Sequence, residues 1–208
     1  MADKDTATRQ DFSIVVIGAS AGGIKALSAL VRGLPPTLEA AVFVVQHLES
    51  TAEKSRLPDI LRRYTLLAVH PARDGMAIRP GCLYVARPGM HLRIRPGSIG
   101  LDKGEPVRFV RPAADVLFIS AAEHYGPRVI GVVLTGNGSD GAAGCLAVKA
   151  GGGVCMAQDP KTAPFPDMPG AAMATGAVDH ILPVNDMAGQ IICLVDRRTR
   201  RDTTGKAL

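Results

Sequence analysis

Residues 13–17 (SIVVI) and 40–46 (AAVFVVQ) are short, β-branched apolar runs, and the stretch between them follows a different period. Over residues 22–31, Ile24, Leu27, Leu30 and Val31 fall on one face of a helix. Pro35-Pro36 closes that unit, and residues 52–64 read as a second helix. A chain that begins strand, helix, strand, helix buries such continuous apolar strands when helices cover both faces of a parallel sheet.

The middle of the chain is less regular. Residues 66–69, 82–86 and 91–94 read as short strands separated by Asp74-Gly75, Pro80-Gly81 and Pro88-Gly89 turns. The Pro96-Gly97 turn pairs 91–94 with 99–101 as a hairpin. Alternation then resumes with a helix over 113–124, a strand over 129–134, a helix over 141–149 and a strand over 153–157. Pro169 is placed to open a short helix reaching Met173. Residues 180–182 give a last strand, and 185–195 a last helix with Met187, Ile191 and Leu194 on one face. The expected fold is α/β: one doubly wound, mostly parallel sheet with helices on both faces and a small antiparallel hairpin insertion near 82–101. Residues 1–11 read as a polar tail, 12–196 as the domain, and 197–208 as a basic, disordered tail.

Composition removes several function classes. The longest apolar runs, 40–45 and 129–134, fall far short of the roughly 20 residues a membrane-spanning helix needs. The opening MADKDTATRQD has no apolar signal-peptide stretch, so a cytoplasmic location without membrane insertion is expected. Cys82, Cys145, Cys155 and Cys193 form no CxxC pair, which favours reduced thiols over a zinc site or a disulfide frame. The net charge of +5 is concentrated at the end, where Arg197, Arg198, Arg200, Arg201 and Lys206 face only Asp202. The body is therefore close to neutral, and no aromatic residues interleave the basic ones, which speaks against nucleic-acid binding. No apolar helix face is left unclaimed, so a monomer is expected.

In an open parallel sheet, ligands bind beyond the carboxyl ends of the strands. The strand over 13–17 delivers GASAGG (Gly18 to Gly23) there, the strand over 40–46 delivers Gln46-His47, the strand over 129–134 delivers TGNGSDG, and the strand over 153–157 delivers Gln158-Asp159. Gly18 to Gly22 fits G-x-S-x-G in the strand-to-helix setting that motif requires, a sharp turn that lifts the hydroxyl above the sheet. The following helix would aim free N–H groups at whatever Ser20 attacks, the Ala21 N–H first. Two other readings compete: Ser20 as a helix N-cap, or Gly18, Ser20 and Gly23 as a degenerate dinucleotide loop. The dinucleotide loop lacks its central glycine, and the second strand ends in Gln46-His47 instead of an acid. His47 closes the strand expected beside that of Ser20, within about 4.8 Å, close enough to act as its base. His70, His91, His124 and His180 have no such placement. Asp140, in its Gly-rich loop, and Asp159 remain rival acids for orienting the imidazole, and Asp140 could equally cap the helix that follows it.

With these residues in place, the chain resembles the catalytic domain of the chemotaxis receptor methylesterases, the CheB type, from about Val15 to Val184. The likeness lies in IGASAGG, VVQHL, RDG…RPG, YVARPGMHL, RPAADVLF and LTGNGSDGAAG, with Ala157 to Asp159 and Met168-Pro169 following. It implies a Ser-His-Asp triad at Ser20, His47 and Asp140, with backbone N–H groups of Ala21 and Asn137 at the oxyanion. It also implies hydrolysis of glutamyl methyl esters on chemoreceptor signalling helices with release of methanol, deamidation of receptor glutamines by the same acyl chemistry, and no metal or cofactor. Ala21 stands where the family often has Thr, Asn137 where Met is common, and Arg87 where Pro or Ala is usual. About eleven residues precede the first strand, too few for the receiver domain that usually gates the family, so a stand-alone domain is expected. The competing functions are an esterase of the same fold acting on another protein or a small ester, and a non-catalytic binding module. If His47 is the base, hydrolysis measured between about pH 5 and 8 should fall as pH drops, because only neutral imidazole accepts the serine proton; a flat profile would contradict it.

Overall fold

The two apolar runs nearest the N-terminus, β1 (Ser13–Ala19) and β2 (Ala40–Gln46), are buried along their whole length and pair in parallel. The computed structural model of the chain describes residues 12–47 and 55–204. Between these strands runs α1 (Gly23–Arg32). Further along come α2 (Leu57–Leu61), β3 (Ala68–Pro71) and β4 (Cys82–Val85). The hairpin β5 (His91–Arg95) and β6 (Ser98–Asp102) precedes α3 (Ala114–Tyr125). The chain then alternates through β7 (Val129–Val133), α4 (Ala142–Ala150), β8 (Val154–Gln158), α5 (Asp167–Ala174), β9 (His180–Leu182) and α6 (Val184–Thr204).

Seven strands form one sheet in the order β3-β4-β2-β1-β7-β8-β9, and every pairing within it is parallel. Successive strand residues point to opposite faces, which splits the core in two. Ile14, Val16, Phe43 and Val133 pack with Leu117 and Phe118 of α3, Cys145 of α4, Met168 of α5 and the hairpin's Leu92 and Ile99. Val15, Ile17, Val42 and Val132 pack with Leu27 and Leu30 of α1, Leu61 of α2, and Met187 and Ile191 of α6. The fold is thus the doubly wound α/β sheet with a small antiparallel hairpin that the strand and helix patterns imply. Among the described residues, no helix is long and apolar enough to cross a membrane, and all four cysteine thiols are free.

Four local readings change. The antiparallel insertion is only β5–β6, because β4 lies inside the main sheet, parallel to both β2 and β3. Parallel neighbours usually need a crossover of a dozen or more residues with a helix; here the helix-free segment 72–81 suffices. The helix expected over 52–64 spans Leu57–Leu61 within the described residues, and residues 52–54 lie outside them. Its start is set by the Leu57 N–H donating to Ser55 Oγ at 3.1 Å and by Pro58 in the first turn. Helix α5 begins two residues before Pro169, which is tolerated because first-turn N–H groups need no intrahelical acceptor. Helix α6 runs on to Thr204, through the start of the basic run read as a disordered tail from residue 197. Arginine is a good helix former and is favoured near a helix C-terminus.

Helices α3 and α4 touch through a glycine: a Cβ at Gly144 would lie 2.5 Å from Phe118 Cβ. Gly144→Ala is expected to cost about 1–3 kcal/mol by overpacking. Gly170→Ala, on α5 with nothing within 4 Å of the added carbon, should gain about 0.4–1 kcal/mol. Urea unfolding of the two variants checks both signs.

Candidate active site

The strand order reverses beside β1: the strand that follows it in sequence, β2, lies on one side and β7 on the other. At such a switch point the loops beyond the carboxyl ends diverge and leave a crevice. Parallel pairing continues one step past the strands, with the Ser20 N–H donating to Thr135 O and the His47 N–H to Ala19 O, both at 3.0 Å. Since Ala19 is the register partner of Gln46, Ser20 and His47 are next-door positions on adjacent strand ends. Both line an open cleft of about 830 Å3 that continues past Ile24, Lys25, Arg32 and Tyr64.

The turn after β1 needs its glycines. Gly22 sits at the N-cap of α1 with φ 74° and makes no side-chain cap, a conformation natural to glycine. Ser20 therefore does not cap α1, and its hydroxyl is left to the cleft. A Cβ at Gly136 would meet Met168 Sδ at 2.2 Å and Ser20 Cβ at 2.7 Å, so the loop after β7 lies directly against the serine.

His47 and Asp140, far apart in sequence, meet through Nε2 and Oδ2 at 2.7 Å, with side chains only 12% and 4% exposed. Asp140 does not cap the helix that follows it: the N-cap of α4 is Gly141, with no side-chain bond. Its carboxylate instead accepts the Ala114 and Asp115 N–H groups at the start of α3. Burial by itself would raise the Asp140 pKa. The hydrogen bond from His47 and the two backbone N–H donors outweigh that, and the carboxyl is held below its ordinary value. The rival acid, Asp159, turns into its own loop, where Oδ1 accepts the Lys161 N–H at 2.9 Å. Of the other histidines, His91 is buried against Glu105 O and the Ala113 N–H, while His180 contacts Gln190.

Ala21 lies in the turn before α1 and Asn137 in the loop after β7. Among the described residues, neither N–H has a hydrogen-bond acceptor, and Asn137 is exposed. The backbone beside Asn137 is clamped, with the Gly136 N–H donating to Phe165 O and the Met168 N–H to Gly136 O, both at 2.9 Å.

Three polar residues that pattern reasoning passed over hold these loops together. Gln46, 6% exposed, donates from Nε2 to the carbonyls of both Ser20 and His47, at 2.7 and 2.8 Å. The Thr135 hydroxyl, fully buried, accepts the Phe165 N–H and contacts Ala21 O. Gln158 Oε1 accepts the Thr135 N–H. Each stands at or just past the end of an apolar strand, where burial obliges a polar group to find a partner; that position was the available signal.

The CheB methylesterase family model matches residues 15–191. The chain is 43% identical over 174 residues to protein-glutamate methylesterase/protein-glutamine glutaminase 2 of Anaeromyxobacter dehalogenans, covering 84% of this chain and 51% of that protein. It is 40% identical over 182 residues to the protein-glutamate methylesterase/protein-glutamine glutaminase of Clostridium acetobutylicum, covering 87% and 52%. The crystal structure of the Thermotoga maritima CheB methylesterase catalytic domain superposes with a TM-score of 0.84 at 36% identity, covering 88% of this chain and 99% of that one. The chain spans about half the length of the curated relatives it matches.

A carboxyl whose folded pKa lies below its unfolded value stabilises the fold fully above the unfolded value, about 3.9, and that contribution is lost as pH falls through the folded value. The difference in unfolding free energy between wild type and Asp140→Asn should therefore shrink as pH falls below about pH 4. Urea titrations across that range measure it; a difference that grows toward acid would contradict the depressed carboxyl.

Proposed function

This chain belongs to the CheB methylesterase family, and from that premise we propose that it hydrolyses glutamyl methyl esters on chemoreceptor signalling helices. In this reading it releases methanol, also deamidates receptor glutamines, and acts in the cytoplasm as a monomer. The observation that carries the proposal is the bond between His47 Nε2 and the buried Asp140 carboxylate beside a serine that opens onto the cleft.

In this mechanism Nε2–H donates to Asp140, so the Nδ1 lone pair is the one available as base; the more familiar serine triads use the two ring nitrogens the other way round. His47 takes the Ser20 proton as Oγ attacks the ester carbonyl carbon. The oxyanion that forms is met by the Ala21 and Asn137 N–H groups, both without an acceptor among the described residues. As the C–O bond breaks, the imidazolium returns its proton to the leaving methoxide, which departs as methanol. Water then attacks the glutamyl-Ser20 ester with His47 again as base, which frees the glutamate and restores Ser20. A glutamine follows the same path with ammonia as the leaving group. Lys25 and Arg32 along the cleft suit an acidic helix, since complementary charge steers encounter and orients the partner.

The test is methanol release from receptor membranes carrying labelled methyl esters. Wild-type protein should release methanol, and Ser20→Ala should lower the rate by at least about 1,000-fold. Release that survives Ser20→Ala would rule out the mechanism. Ser20-dependent hydrolysis of a simple ester, with none from receptors, would transfer the same chemistry to another substrate.

A further inference from the structure

Helices α3 and α4 exchange carboxylates at their N-termini. Asp140, just before α4, accepts N–H groups from the start of α3. Asp115, in the first turn of α3, accepts from α4: its Oδ1 takes the Gly141 N–H at 2.9 Å and the Gly144 N–H at 2.8 Å. The Asp115 N–H is itself one of the donors to Asp140, at 2.9 Å. The second Asp115 oxygen accepts from Arg108 Nε at 3.1 Å, and the same guanidinium donates to Ser139 Oγ at 2.9 Å. Asp115 is 2% exposed and Asp140 3%.

Gly141, whose N–H Asp115 accepts, directly follows Asp140, and Ser139, which Arg108 contacts, directly precedes it. Gly141 has φ 95°, so the chain leaves Asp140 through a left-handed turn, and the hydrogen bond from its N–H to Asp115 fixes where that turn lies. We propose that Asp115 is a positioning residue for the hydrolysis. It sets the backbone that leaves Asp140 by accepting the Gly141 and Gly144 N–H groups, so that the Asp140 carboxylate meets His47; the Arg108 bond that reaches Ser139 is not needed for this. The inference rests on the Ser20, His47 and Asp140 reading above. What the site draws from Asp115 is the position of an acceptor oxygen, not its charge: the His47 contact is made by Asp140 alone.

Two variants separate position from charge, and both keep an acceptor oxygen for the start of α4. Asp115→Asn leaves an oxygen in place for Gly141 and Gly144 and loses only the Arg108 contact. Asp115→Glu keeps the charge but pushes the acceptor outward by one methylene. With a simple chromogenic ester as substrate, Asp115→Asn should keep kcat within about threefold, while Asp115→Glu should lower it about 100-fold with KM unchanged, the scale of an ångström's misplacement. The low-field proton resonance of a hydrogen-bonded His47 Nε2–H should persist in Asp115→Asn and vanish in Asp115→Glu. Asp179→Asn serves as a control, because Asp179 likewise accepts a backbone N–H (that of Cys155) and pairs with a lysine, while none of the three lines the cleft; it should change stability without changing kcat. Equal losses of kcat in both Asp115 variants, or wild-type kcat in Asp115→Glu, would overturn the proposal. Ser20→Ala, assayed alongside, separates this from a failure of the mechanism: if ester hydrolysis survives it, the nucleophile assignment fails, and the proposal that rests on it is overturned with it.

Discussion

The register of β1 against its two neighbours is the constraint on which the site depends. β1 lies between β2 and β7, parallel to both, and the pairing is carried past the strand ends by backbone bonds from Ser20 to Thr135 and from His47 to Ala19. A slip of one residue would turn every apolar side chain to the wrong face. Here the two faces feed separate helix layers, so a slip would disturb both cores at once. The same burial that secures the core therefore secures the relative positions of Ser20, His47 and the loop that carries Asp140.

Strand register alone does not complete the site, because the loops beyond the strands carry buried polar groups that need partners. Gln46 ties the Ser20 and His47 carbonyls with one amide, and Thr135 ties the turn after β1 to the segment around Phe165. The carboxylates of Asp140 and Asp115 are removed from water, and each is compensated by N–H groups at the start of the other's helix, with His47 on one side and Arg108 on the other. Two buried like charges are tolerable only with that many donors. The close contact of α3 with α4 at Gly144 and Phe118 holds the two helix ends at the distance this exchange requires.

Much of the fold was legible because strands buried on both faces read as continuous apolar runs. β2 and β9 have the bounds that the pattern predicted, and β1, β7 and β8 differ by a residue or two at their ends. The less legible parts lacked that signal. β4 is a four-residue strand between Pro-Gly turns, and nothing in CLYV distinguishes parallel from antiparallel pairing. The length of α6 was underestimated because charge runs at chain ends resemble solvated tails, although arginines extend helices readily. In the site, G-x-S-x-G and a histidine closing a neighbouring strand could be recognised locally. Gln46, Thr135 and Asp115 could not, since their roles consist of bonds to loops distant in sequence.

The sequence by itself determined the layered α/β sheet and the delivery of Ser20, His47, Asp140 and Asp159 to one edge of it, because alternating apolar periods encode which residues are buried and where each strand stops. Between Asp140 and Asp159 the strand pattern left the acid open and the family likeness pointed to Asp140; only the tertiary structure decided what holds that carboxylate against the imidazole. Asp140 and Asp159 both follow buried strands, and no local pattern separates them. The distinction arises because the N-terminus of α3 lies against the loop after β7, where its free N–H groups can neutralise one buried carboxylate, while Asp159 satisfies itself within its own turn. That choice depends on the packing of one helix against another, a contact between segments that are remote along the chain.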